Sequence, residues 1–272
     1  MEECNTIDDR PIGIFDSGVG GLTSINAFSE VLPSESILYF GDTARAPYGS
    51  KSPETVRSFS REIGQFLINA GAKILVAACN TSSATALDYL RESFPGMLVQ
   101  GIIEPCAQQI ADECTAEDRI GIIATPVTVN SRAYDTEIAK LNPDLKVFSE
   151  ACPDFVPMIE SGAFDSRTME TAIQHHIGRM VDECGINVLV LGCTHYPIIR
   201  DKIERMFPDL RIIDPSVALA KKTRAILEQE DMLASDWPGW RRFYASDLSP
   251  RFLNVIERLG IKGDYSLERH RL

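Results

Sequence analysis

The chain has 272 residues, 44% hydrophobic and 24% charged, a balance that excludes an intrinsically disordered protein. With 27 basic and 39 acidic residues its formal net charge is −12, which argues against general nucleic-acid or anionic-membrane binding, since both need basic surface. A small anionic substrate stays open, because a site can present local N–H donors against the overall charge.

The first nine residues are acidic and carry no apolar stretch, so no secretory signal is expected. Short apolar runs rich in β-branched residues then predict strands at 12–15, 37–40, 74–78, 99–103, 120–124, 146–148, 188–192 and 210–213. Between them, apolar spacing of about 3.6 predicts helices at 56–68, 168–181 and 198–207. Beyond Ser216 the chain reads as a helix at 217–230, a Trp237-Pro238-Gly239-Trp240 loop, a short strand at 242–245 and a helix near 250–259. Alternating strand and helix implies βαβ units and parallel sheets covered on both faces. The longest apolar runs, near 74–79 and 186–193, fall far short of the roughly 20 residues of a membrane span. Seven cysteines, an odd number with no C-x-x-C pair, fit neither a zinc finger nor a secreted disulfide framework. A cytoplasmic protein is expected.

The sequence repeats itself. Ile74-Leu75-Val76-Ala77-Ala78-Cys79-Asn80-Thr81 aligns with Val188-Leu189-Val190-Leu191-Gly192-Cys193-Thr194-His195. Upstream, Ile12-Gly13-Ile14-Phe15-Asp16-Ser17 aligns with Ile120-Gly121-Ile122-Ile123-Ala124-Thr125, and downstream Ile102-Ile103-Glu104-Pro105 aligns with Ile212-Ile213-Asp214-Pro215. An internal duplication follows. The expected fold is α/β, with two similar doubly wound parallel-sheet domains related by a pseudo-twofold and an active site in the cleft between them. The expected division is 1–103 plus 215–272 for the half carrying Cys79, and 104–214 for the half carrying Cys193. Ligands of open parallel sheets bind beyond the carboxyl ends of the strands, where both thiols would converge.

Two opposed, similar bases suit a stereoinversion at carbon, since one removes a proton from one face and the other returns one to the opposite face. A thiol fits both roles, and the helix N-terminus that follows each strand is expected to lower its pKa. The alternative is that both are ordinary buried cysteines. Asp16-Ser17-Gly18-Val19-Gly20-Gly21 ends the first strand and reads as a nest of N–H groups for an anion. A dinucleotide reading competes for this turn, with Asp42 roughly 20 residues on as the ribose-binding acid, although Thr23 stands where the third glycine should be. A bland strand–helix turn competes too. His195 stands two residues after Cys193, and as core residue, zinc ligand or acid/base assistant it stays open; further zinc ligands at suitable spacing are not found. His175 and His176 are expected on the surface of a helix, and His270 in the tail.

Together these motifs resemble the glutamate racemase family, within the aspartate/glutamate racemases. The resemblance rests on Asp16-Ser17-Gly18-Val19-Gly20-Gly21, Tyr39-Phe40-Gly41-Asp42-Thr43, Pro47-Tyr48-Gly49, Cys79-Asn80-Thr81 and Gly192-Cys193-Thr194-His195-Tyr196-Pro197. Thr125-x-x-Thr128-Val129 with Ser131 and Tyr134, and Cys152-Pro153 leading to Phe155-Val156-Pro157 and Glu160, extend it over nearly the whole chain. Ser82, where the family often has Ala, is a mild departure. The resemblance implies cofactor-independent interconversion of L- and D-glutamate, supplying D-glutamate for peptidoglycan, by an enzyme that uses no metal and is commonly a homodimer. It implies Cys79 acting on D-glutamate and Cys193 on L-glutamate, with Asp16 and His195 assisting their nearby thiols. It implies substrate binding by Asp16, Ser17, Tyr48, Gly49, Asn80, Thr81, Thr125, Thr194 and His195, with Asp42 and Glu160 in support. Three readings stay in competition: this racemase or one for a related amino acid such as aspartate, a nicotinamide-dependent oxidoreductase, and a non-catalytic two-lobed binding protein.

Overall fold

Strands β1 (Ile12–Asp16), β3 (Ile74–Ala77), β5 (Arg119–Ala124) and β7 (Val188–Gly192) are almost unbroken apolar runs, and nearly every residue in them is buried. Such runs suit strands covered on both faces, as in a parallel sheet. A computed structural model, which describes residues 7–261 and 263–272, builds them into two sheets. One has six strands in the order β10-β9-β2-β1-β3-β4, and the other has four in the order β6-β5-β7-β8. The remaining strands are β2 (Ile37–Gly41), β4 (Leu98–Gly101), β6 (Lys146–Ala151), β8 (Arg211–Ile213), β9 (Arg241–Ala245) and β10 (Ser266–Arg269). Neighbouring strands pair parallel throughout both sheets.

The sequence repeat reappears as topology. The order β2-β1-β3-β4 is copied as β6-β5-β7-β8. It is copied in register as well: Ile12 pairs with Ile37 and Ile74, while its aligned partner Ile120 pairs with Val147 and Val188. Cys79 and Cys193 therefore follow equivalent strands.

The helices are α1 (Thr23–Val31), α2 (Pro53–Asn69), α3 (Asn80–Ser93), α4 (Ile103–Glu113), α5 (Pro126–Ser131), α6 (Ala133–Leu141), α7 (Phe155–Glu160), α8 (Arg167–Ile173), α9 (Arg200–Met206), α10 (Pro215–Gln229) and α11 (Pro250–Leu259). Several begin on local signals. Ser52, Asp214 and Ser249 cap α2, α10 and α11, each followed by Pro at the first helical position. Helix α4 carries the chain from the first sheet to the second and α10 carries it back; the two pack against each other. One apolar core runs through both sheets, with Ile14 and Val76 in one and Ile122 and Val190 in the other. A second cluster, with Phe40, Leu67 and Leu90, fills the other face of the six-stranded sheet beneath α2 and α3. Among the described residues no helix is long and apolar enough to cross a membrane.

Some expectations need correction. The strand expected at 99–103 ends at Gly101, and Ile103 opens α4, because a buried helix face continues the apolar run. The helix expected at 168–181 is α8 followed by two π-helical turns, Gln174–Gly178 and Met180–Cys184. His176 is not on the surface: it is 7% exposed, with Nδ1 2.9 Å from Glu150 Oε1 and Nε2 3.0 Å from Asp154 Oδ1. Strand β10 has no counterpart among the expected strands, since Ser-Leu-Glu-Arg has no strand pattern and joins the sheet edge through backbone pairing with β9.

Candidate active site

Cys79 ends the turn after β3 and caps α3, its sulfur accepting from Ser82 N at 3.5 Å. Cys193 directly follows β7. Both line one small cavity. The six-stranded half adds Ser17, Tyr48, Gly49, Asn80 and Thr81, and the other half adds Thr125, Thr194 and His195. Pro47 and Val156 complete the wall. The predicted site residues thus meet in one place, except that Asp16 stands behind the wall. Its carboxylate is fully buried, accepting from Gly18 N at 3.0 Å and from the Thr194 hydroxyl at 3.1 Å.

The glycine turn differs from an open anion nest. One of its N–H groups is already spent on Asp16, and the Tyr39 hydroxyl donates to Gly18 O at 2.7 Å. Its glycines instead permit close approach. A Cβ on Gly20 would lie 2.5 Å from both His195 Nδ1 and Thr194 Oγ1. Asp42, the candidate ribose acid, is fully buried and accepts from Arg45 Nε at 2.6 Å, from Ser246 Oγ at 2.9 Å and from the Tyr48 hydroxyl. It has no face left for a ribose, which removes the main support for a dinucleotide site. Its place in this fold is to hold Tyr48 at the cavity. Burial, then the Asp42 charge, pushes the Tyr48 phenol up, so it stays a donor. Ser246, at the end of β9, was not found from sequence, where nothing in the tail marks it.

The two thiols have different surroundings. Burial, and then the charge of Asp16, pushes Cys79 up to about 12; the Ser82 amide and the Ser82 and Ser17 hydroxyls oppose this and lose. The expectation that the helix N-terminus would lower this pKa is therefore corrected: one long hydrogen bond does not outweigh desolvation. Beside Cys193, His195 Nδ1 lies 3.8 Å from the sulfur, and Nε2 lies 3.1 Å from Glu160 Oε1. Burial alone would lower the His195 pKa, but the hydrogen bonds to Cys193 and Glu160 outweigh it and the net direction is up. The site therefore has a protonated thiol on one side and, on the other, a thiol beside a histidine of raised pKa.

This difference sets an expected result. Cys79 should alkylate slowly with iodoacetamide near neutral pH, because the thiolate is the reactive form. Its rate should climb about tenfold per pH unit from pH 7 to 9.5 without a plateau, since the midpoint lies at about 12. Peptide mass spectrometry follows the site; a plateau below pH 9 contradicts the geometry.

Across the cavity the hydroxyls of Thr81, Thr125 and Thr128 form a triangle, with oxygen separations of 3.0, 3.4 and 3.0 Å. It ties α3 of one half to α5 of the other. Among the described residues no cluster of three His, Cys, Asp or Glu side chains is arranged to hold a metal ion.

Comparison with known proteins agrees with the motifs. Residues 23–223 match the family model described as Asp/Glu/Hydantoin racemase. The chain is 41% identical over 251 residues to a glutamate racemase of Neisseria meningitidis serogroup C, covering 92% of each chain. Among solved structures it resembles glutamate racemase from Francisella tularensis in complex with D-glutamate, with a TM-score of 0.87, 37% identity and coverage of 97% and 98% of the two chains. A glutamate racemase isoform from Bacillus anthracis gives a TM-score of 0.89 at 35% identity, with the same coverage.

Proposed function

The chain belongs to the Asp/Glu/Hydantoin racemase family, and on that premise we propose that it interconverts L- and D-glutamate with two thiols and no cofactor. The observation that carries this reading is the placement of Cys79 and Cys193 after equivalent strands on a single cavity. The D-glutamate bound to the Francisella tularensis relative supports the choice of substrate.

In the L-to-D direction, Cys193 as thiolate takes the Cα proton, leaving a planar carbanion, and the Cys79 thiol gives its proton to the other face. In the reverse direction Cys79 takes and Cys193 gives. Each turnover leaves the opposite protonation state, so protons must return to the starting thiol before the next cycle in the same direction. His195, with its raised pKa and its contact to Cys193, is placed to carry a proton on that side. Asp16 fixes the Thr194 hydroxyl and adds negative charge near Cys79, strengthening it as a base once deprotonated. Ser17, Tyr48, Gly49, Asn80, Thr81, Thr125 and Thr194 supply the polar contacts for the carboxylates and ammonium.

The units that go with this reading are 1–103 plus 215–272 and 104–214, related by a pseudo-twofold, each bringing one thiol. A cytoplasmic homodimer that supplies D-glutamate for peptidoglycan, with no nucleic-acid partner, completes the proposal.

Racemisation in D2O, read by circular dichroism and mass spectrometry, tests it. Starting from either enantiomer, early product should carry one deuterium at Cα while recovered substrate stays protiated, because the donated proton comes from the second, solvent-exchanged thiol. Deuterium entering recovered substrate as fast as product indicates a single base. No loss of optical rotation with either enantiomer removes the function itself.

A further inference from the structure

Asn80 opens α3 at the cavity wall, and its side-chain nitrogen is buried without a hydrogen-bond partner, although the residue is only 2% exposed. A buried amide donor in a folded protein nearly always has an acceptor. The other end of this amide is occupied. The Tyr134 hydroxyl donates to Asn80 Oδ1 at 2.6 Å.

Tyr134 is fixed in turn. It lies on α6, which packs against α4, and it is 2% exposed. Cys106, on the connecting helix α4, neighbours the same phenol. Burial pushes the Cys106 thiol up, and burial followed by Cys106 itself pushes the Tyr134 phenol up, so both keep their protons. The phenol O–H donates to the amide oxygen, and the amide nitrogen is left to donate into the cavity.

We propose that Tyr134 is a positioning residue that locks the Asn80 amide with its nitrogen facing the cavity, where it donates to a carboxylate of the bound amino acid. This rests on the reading of the cavity as the glutamate site. Without the phenol hydroxyl nothing distinguishes the two amide orientations, and in the wrong one a carbonyl oxygen faces the substrate carboxylate. The relay joins α3 of one half to α6 of the other, so the amide takes its binding orientation only when both halves are in place.

The experiment is Tyr134→Phe, which keeps the ring and removes the hydroxyl, assayed with both glutamate enantiomers beside the wild type, Asn80→Ala and the double variant. A contact equal in ground and transition state shows in KM. The KM of Tyr134→Phe should rise about tenfold in both directions while kcat changes less than about threefold. In the Asn80→Ala background the same substitution should leave KM unchanged, which a merely packing role would not do. Wild-type KM in Tyr134→Phe, or an equal KM rise with and without Asn80, overturns the assignment while leaving the racemase intact. A wild-type protein inactive on both enantiomers overturns the function and this assignment with it.

Discussion

Cys79→Ser and Cys193→Ser should each lose racemisation by about 10³-fold or more, because a serine hydroxyl is a far weaker base than a thiolate at the same position. The loss must be equal in the two directions when expressed as kcat/KM, since free L- and D-glutamate have the same free energy. Total activity therefore cannot say which thiol serves which face. A half-reaction can. On an analogue with a leaving group at Cβ, one thiolate removes the Cα proton, the new double bond forms, and the leaving group departs with its electron pair. Such elimination needs a base on one face alone. Cys79→Ser retains Cys193 and should eliminate from the L analogue; Cys193→Ser retains Cys79 and should eliminate from the D analogue. Release of the leaving group from each enantiomer reads this out. If both variants prefer the same enantiomer, or if either racemises glutamate at a near-normal rate, the division between the thiols is wrong.

The two thiols enter this test unequally. Cys79 is protonated at neutral pH by burial and the nearby Asp16 charge, so in the resting protein it is set to donate. The geometry provides Cys193 with His195, held from behind by Glu160. The sequence repeat makes the cysteines look equivalent, and in strand order and register they are. Their chemistry diverges in the residues that the repeat does not copy. Asn80-Thr81 follows one thiol and Thr194-His195 the other, while Asp16 aligns with Ala124.

What could be read ahead of the structure divides along the same physical line. Parallel strands buried on both faces announce themselves as apolar runs, so β1, β3, β5 and β7 were legible, and so was the duplication that brings both thiols to one cavity. Interactions carried by single polar groups between distant segments were not. The contact of Ser246 with Asp42 joins residues separated by most of the chain, and no local pattern marks either end. His176 lies among polar neighbours in sequence yet is buried between Glu150 and Asp154, which come from another strand and the start of another helix. Nor does composition reveal the balance on Cys79, because a helix N-terminus is visible in sequence and desolvation is not.

The glycine turn shows how the structure separates positions that sequence leaves alike. Gly18 and Gly20 both read as glycines of an anion-binding turn. A Cβ on Gly18 would meet Glu160 Oε1 at 3.5 Å and Ala46 Cβ at 3.7 Å, ordinary contacts that need no rearrangement. On Gly20 it would lie 2.5 Å from His195 Nδ1, an atom already engaged with Cys193 Sγ. His195 is 2% exposed and held at its other nitrogen by Glu160, so the ring has little room to retreat without leaving the thiol. Thr194 Oγ1, equally close, is bonded to Asp16. Gly20→Ala should thus displace His195 by a large fraction of an ångström, which is enough to cost about 10²-fold in kcat/KM, equally in both directions. Gly18→Ala should stay within about threefold of wild type by the same argument, as no catalytic group is moved. The two variants lie in one turn and change the same atoms, so the comparison isolates the contact with His195. Thermal unfolding of both checks that the fold survives, and an isotope effect with α-deuterated glutamate places the loss on the proton-transfer step. Near-equal activity of the two alanine variants would show that His195 does not need its present position beside Cys193.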